Sequence, residues 1–159
     1  LYDEAIKIPL IIRAPALIEP GQEIEMPVSN IDVFPSIMSA LGINAPADLN
    51  LSGADLIQIS NEQDTLESRP IFAQYAMRNF GYSDLRMVRS GKWKLIKRFN
   101  LKANAELVDE LYDLEADPNE ETNLIKQVSN QPIYEKLDNL IHSWMISIDD
   151  PLLSSSFKP

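Results

Sequence analysis

Glu110-Leu111-Tyr112-Asp113-Leu114-Glu115-Ala116-Asp117-Pro118-Asn119-Glu120-Glu121-Thr122-Asn123-Leu124 reads as a strand, a tight acidic turn and the start of a further element. Glu110 to Leu114 form the strand, with Leu111 opposite in parity to Tyr112 and Leu114. Asp117-Pro118-Asn119 ends it. Asp117 is expected to start an Asx-type turn, and Thr122 or Asn123 to cap a short helix. On the carboxy-terminal side, Tyr134, Leu137, Ile141, Trp144, Met145 and Ile148 recur at three and four residues. That spacing predicts a long helix from Asn130-Gln131-Pro132 to Asp149-Asp150-Pro151 with one apolar stripe. On the amino-terminal side, Leu85 to Arg89 and Lys92 to Phe99 read as a hairpin turning at Ser90-Gly91. Trp93, Leu95 and Phe99 share a face that Lys97 interrupts, and Ile71 to Tyr75 is a further strand. A small antiparallel sheet of about four strands packed on one long helix follows.

The first third of the chain has another character. Ile8-Pro9-Leu10-Ile11-Ile12-Arg13 is apolar on both alternating faces, the pattern of a strand covered by helices on two sides. Glu19-Pro20-Gly21-Gln22 is a turn. Ile31, Phe34, Met38 and Leu41 fall on one helical face, with Asn30 or Asp32 as cap and Gly42 as stop. Residues 43 to 70 read as irregular, with Ser60-Asn61-Glu62-Gln63-Asp64 a polar loop. The fold class is therefore α/β with α+β character, divided near Glu67: residues 1–66 as the end of a large α/β sheet domain, residues 67–159 as a small α+β domain. A Pro9–Arg13 strand outside its parent sheet would be an unprotected edge, so either a dimer through that edge or its addition to the small sheet is expected.

Composition excludes several classes. A net charge of −10, from 14 basic and 24 acidic residues, disfavours nucleic-acid binding. The densest basic stretch, Arg86, Arg89, Lys92, Lys94, Lys97 and Arg98, is split between two strand faces and reads as a solvated rim. The absence of cysteine excludes disulfides, thiolate metal sites and a cysteine nucleophile in this stretch. One histidine, His142, cannot build a metal site, and it lies off the apolar stripe, facing solvent. No apolar run approaches the ~20 residues that span a bilayer.

Three ordered blocks resemble the sulfatase family. Leu1-Tyr2-Asp3-Glu4 through Pro9-Leu10-Ile11-Ile12-Arg13-Ala14-Pro15 is similar to its tyrosine–acid pair and Pro-led strand. Val28-Ser29-Asn30-Ile31-Asp32-Val33-Phe34-Pro35-Ser36-Ile37-Met38 is similar to the helix that follows. Met87 through Ile96, together with Leu-Tyr-Asp-Leu…Asp-Pro…Glu…Asn-Leu at residues 111–124, is similar to its closing signature. The resemblance implies hydrolysis of sulfate esters, small or in a glycan, by a parent enzyme that is formylglycine-dependent and arylsulfatase-like, within the alkaline-phosphatase-like superfamily. It also implies a divalent cation, usually calcium, and a bacterial periplasmic or secreted setting. A phosphonate or phosphodiester hydrolase of the same superfamily, or a non-catalytic interaction module, is the alternative.

None of the family's catalytic parts matches a residue here. No serine has the Ser-x-Pro-x-Arg spacing that yields formylglycine, and Ser36-Ile37-Met38 and Ser83-Asp84-Leu85 both fail. The family's metal-binding carboxylates, and an active-site lysine just ahead of the position of Tyr2, would lie before Leu1. The chain is thus expected to be a carboxy-terminal fragment, inactive alone, with no catalytic or metal residue. Substrate contact is expected from the loop Met77-Arg78-Asn79-Phe80-Gly81-Tyr82-Ser83, with Arg78 meeting an anion and Phe80 or Tyr82 stacking on a ring. Asp32 reads as a helix cap, and Tyr2, Asp3 and Glu4 as frayed or purely structural. The Asp113–Glu121 acids lack the central glycine of an EF-hand. Trp93 and Trp144 read as core anchors.

Overall fold

The computed structural model describes residues 1–44, 46, 49, 51–62, 69–77, 83–99, 108–128 and 131–154. In chain order the elements are α1 (Asp3–Ile6), a 3₁₀ turn at Asn30–Asp32, α2 (Val33–Ala40), α3 (Leu56–Asn61), β1 (Ile71–Met77), β2 (Ser83–Ser90), β3 (Trp93–Phe99), β4 (Glu110–Asp113), α4 (Ile125–Val128), α5 (Pro132–Ser147) and a 3₁₀ turn at Pro151–Leu153. They group into two compact units. One joins Leu1–Ile8 to Pro70–Pro159, and the other is Pro9–Arg69.

The first unit is the antiparallel sheet β1-β2-β3-β4 with α5 on one face. Register pairs Ser90 with Trp93, so Gly91-Lys92 form the hairpin connection, one residue later than the sequence suggests. Gly91 sits at φ 57°, the first central position where a tight hairpin needs a residue without Cβ. Strand alternation then sorts the side chains. Val88, Leu95 and Leu111 face α5 and meet its Leu137, Ile141 and Met145, all buried. Phe72 stacks on Trp144 with ring centroids 5.0 Å apart, and Trp93 packs against the same core, as expected of both tryptophans. Pro132 begins α5 where its missing N–H has no intrahelical partner. At the far end, Asp150 grips buried Arg86 of β2 with two bonds of 2.5 and 2.9 Å. It also accepts from Leu152 N, and Pro151 begins the closing 3₁₀ turn.

The Asx turn expected at Asp117 forms instead at Asp113, and the short helix is capped by Asn123. Asp113 Oδ1 accepts from the amides of Glu115 and Ala116, and the Asp117 carboxylate accepts from those of Glu121 and Thr122. Asn123 Oδ1 takes the amide of Ile125, capping α4, and also that of Leu111. Its Nδ2 donates to Asp109 O, so the turn is sewn to β4.

In the second unit the helix expected at 31–42 is present as the 3₁₀ turn and α2. It stops at Gly42, which takes φ 65°. Ser29 N donates to Asp32 Oδ2 at 2.7 Å, a capping contact, while Ala54 N donates to Asp32 Oδ1 at 2.8 Å and Arg69 forms an ion pair with the same buried carboxylate. Ser36 Oγ donates to Asp32 O and accepts from Leu56 N. Gly53 passes so close that a Cβ would lie 2.2 Å from Ile31 O, which fixes glycine there.

Two sequence expectations are corrected. Residues 43–70 are not wholly irregular, because α3 runs through Ser60 and Asn61. Asp55 caps it by accepting from Ile57 N, and Leu56 and Ile59 are buried, but six residues are too few to show a helical period. The Pro9–Arg13 strand is absent, both as a free edge and as an addition to the small sheet, which holds β1 to β4. Ile11 is 92% exposed. A strand exists only by pairing, and no described segment offers this one a partner.

Candidate functional site

The sheet face turned away from α5 holds the densest arrangement of buried charge. Alternation puts Leu85, Met87 and Arg89 of β2, Lys94, Ile96 and Arg98 of β3, and Glu110 and Tyr112 of β4 on this side. The segment Leu1–Ile6 covers it, with Leu1 and Ile6 packed on Leu85, Met87, Ile96 and Tyr112. Four-residue α1 is too short to hold itself together, so these contacts hold it.

Lys94 lies at the centre with no solvent exposure. Its Nζ is 2.8 Å from Asp3 Oδ1 and 2.8 Å from Glu120 Oε1. Asp3 N donates to Glu120 Oε2 at 2.5 Å, and Arg89 approaches Asp3 Oδ2 at 3.7 Å. Glu120 reaches in from the acidic turn with its backbone at φ 56°, a left-handed conformation that costs a non-glycine residue about 1 kcal/mol. Two cations and two anions balance within the cluster.

A second cluster lies beside the first. Arg98 binds Glu110 Oε1, and Tyr112 Oη donates to Glu110 Oε2 at 3.1 Å. Tyr2 meets Tyr112 edge to face at 6.2 Å. Burial, then the neighbouring Glu110 charge, pushes the Tyr112 phenol far above its ordinary range, so it stays a neutral donor. This face is built to bind and orient a backbone segment. It presents neither a nucleophile with an adjacent base nor a metal cage: among the described residues no group of three or more Asp, Glu or His could hold an ion.

The expected substrate contacts Arg78, Phe80 and Tyr82 lie outside the described residues, in the connection between β1 and β2. His142 is exposed. The reading of the basic stretch as a solvated rim fails at Lys94 and Arg86, both buried. Lys94 sits between Asp3 and Glu120, and Arg86 on Asp150, partners 91 and 64 residues away or in a turn, which local composition does not reveal. One sequence signal was available. Lys94 shares strand parity with apolar Ile96, so an inward lysine in a buried strand demanded a carboxylate. Tyr2 and Asp3 are not frayed: Asp3 is held by Lys94 and Glu120, and Tyr2 by Tyr112.

No described helix is long and apolar enough to cross a membrane. The family described as N-sulphoglucosamine sulphohydrolase, C-terminal, matches residues 1–146. The chain is 30% identical over 154 residues to "Uncharacterized sulfatase YidJ" of Escherichia coli (strain K12), covering 97% of this chain and 29% of that protein. It is 30% identical over 163 residues to Arylsulfatase K of Homo sapiens, covering 98% of this chain and 28% of the relative. Among solved structures, BT4656 in complex with its substrate D-glucosamine-2-N,6-O-disulfate superposes with TM-score 0.73 at 23% identity, over 88% of this chain and 28% of that one. At that identity the superposition speaks for the fold. The chain spans less than one third of the length of these relatives. A sheet face shaped to hold a chain segment, a signature turn that closes it and a match running through both agree: the chain belongs to the sulfatases, as their carboxy-terminal domain.

Proposed function

We propose that the whole protein is a sulfuric ester hydrolase and that this chain is the carboxy-terminal part that buttresses its substrate cleft. The observation that carries this reading is the family match over residues 1–146, set against relatives more than three times as long. The residues present do not fit the family's formylglycine or calcium: the sequence has no cysteine and no serine in the required motif, and among the described residues no group of three or more Asp, Glu or His could hold an ion. We assign both groups to the rest of the whole protein, and no chemical step to this chain. The division near residue 67 between the end of the catalytic domain and the small domain is retained within this proposal.

The second unit supports the same reading. Ile11, Ile12, Ile31, Phe34, Ile37 and Leu41 are all exposed, Ile11 at 92% and Leu41 at 66%. The predicted helical stripe formed, but it faces outward. Apolar side chains in that number on a small unit mark a surface that another body covers. We assign that body to the rest of the polypeptide. Alone, the chain would pair with a second copy through this face.

The substrate is a sulfated small molecule or glycan, with Arg78, Phe80 and Tyr82 as contacts, and the setting is bacterial, periplasmic or secreted. The test is sulfate release by the whole protein from 4-nitrophenyl sulfate and from sulfated glucosamine, against the matching phosphate esters. Release of sulfate by the whole protein and none by residues 1–159 supports the reading. Preferential phosphate release, or activity of residues 1–159 alone, overturns it. Arg78→Ala in the active protein is expected to raise KM for the sulfated sugar by about tenfold with kcat less affected.

A further inference from the structure

We propose that Lys94 is a positioning residue for sulfate ester hydrolysis by the whole protein: the ion cluster Asp3–Lys94–Glu120 fixes the Leu1–Ile6 segment against the sheet. The proposal rests on the reading of the whole protein as a sulfate ester hydrolase.

The argument starts from cost. A fully buried ammonium gives up its hydration, and well-packed apolar residues would hold the two surfaces together at least as well. An apolar contact, however, tolerates sliding. The cluster does not. Lys94 Nζ holds the Asp3 carboxylate at 2.8 Å, Glu120 holds the Asp3 amide at 2.5 Å, and Arg89 adds a third charge at 3.7 Å. Side chain and backbone of one residue are gripped by groups from β2, β3 and the acidic turn, so translation along the sheet and rotation of the segment are both restrained. Glu120 accepts a strained backbone to take part. The Tyr2–Tyr112 contact beside it restrains the neighbouring residue. Geometry bought at the expense of stability points to a role in placement, and displacing a reacting group by ~1 Å can cost a hundredfold in rate.

Two of the three blocks of sequence that resemble the family meet at this cluster: Asp3 comes from the first, and Lys94 and Glu120 from the two parts of the third. The signature is thus a structural lock on the opening segment rather than a piece of chemistry.

The experiment uses the whole protein as wild type, Lys94→Met, Asp3→Asn and the exposed control Lys126→Ala. Amide hydrogen exchange over residues 2–7 is measured beside kcat and KM for 4-nitrophenyl sulfate. Lys94→Met is expected to accelerate exchange and to lower kcat at least about tenfold, with KM within about twofold. Asp3→Asn leaves Lys94 paired with Glu120 and is expected to act in the same direction more weakly, so it decides the matter if Lys94→Met does not fold. Lys126→Ala is expected to match wild type. Unchanged exchange overturns the proposal, and so does faster exchange with unchanged kcat. Wild-type protein that releases no sulfate overturns the hydrolase reading instead, and exchange over residues 2–7 then decides by itself whether Lys94 holds the segment.

Discussion

Arg86 and Asp150 show how a single pair closes the sheet domain. Both are buried, and the carboxylate meets the guanidinium with two bonds of 2.5 and 2.9 Å. Burial alone would raise the Asp150 pKa, but the Arg86 bond, the Leu152 amide and the Arg86 charge outweigh it, leaving it below the ordinary 3.8. A carboxylate with a depressed folded-state pKa contributes stability that is present above the unfolded value and lost as pH falls through the folded one. Asp150→Asn strands a buried guanidinium and is expected to cost on the order of 3 kcal/mol at neutral pH. Urea unfolding of both proteins as a function of pH checks this. The gap between wild type and variant should be constant above pH 3.8 and shrink below it. A gap that persists unchanged into strong acid would show that packing, not the ion pair, carries the effect.

Helix α5 is legible in the sequence, because sixteen residues give the 3.6-residue period room to declare itself. Leu137, Ile141 and Met145 face the sheet, while Ile146 is exposed. Leu137→Ala is therefore expected to destabilise by ~2–5 kcal/mol through the cavity it leaves, whereas Ile146→Ala should change stability by less than about 0.5 kcal/mol. Thermal unfolding of the two variants decides it, and equal losses would mean that the helix is rotated about its axis. The short α3 was missed for the converse reason. Its cap Asp55 and buried Leu56 and Ile59 occupy less than two turns, too little for a period to be read.

At the scale of the whole molecule, the Pro9–Arg69 unit exposes an apolar stripe that a complete globule would bury. Residues 1–159 alone are expected to self-associate through it and to bind an apolar dye, and Phe34→Glu should reduce both. Light scattering with a dye titration, repeated on the whole protein, makes the comparison. The reading fails if residues 1–159 stay monomeric and dye-silent at high concentration. The absent Pro9–Arg13 strand belongs to the same account. Its apolar pattern predicts a strand covered on both sides, but residues 9–13 form no strand, and Ile11 is exposed.

Patterns of short range were decided by the sequence itself: the hairpin between β2 and β3, the period of α5, the Asn123 cap of α4, and the family they point to. Each follows from torsional preference or spacing within one turn or strand, so neighbouring residues contain the whole cause. The sequence could not say which cations would be buried, nor where the opening segment would lie. Lys94 is interior only because Asp3, from far earlier in the sequence, and Glu120, from the turn after β4, converge on it to offset its loss of water. That balance is a property of three-dimensional proximity, and it came into existence only when the strands paired and brought those groups to one place.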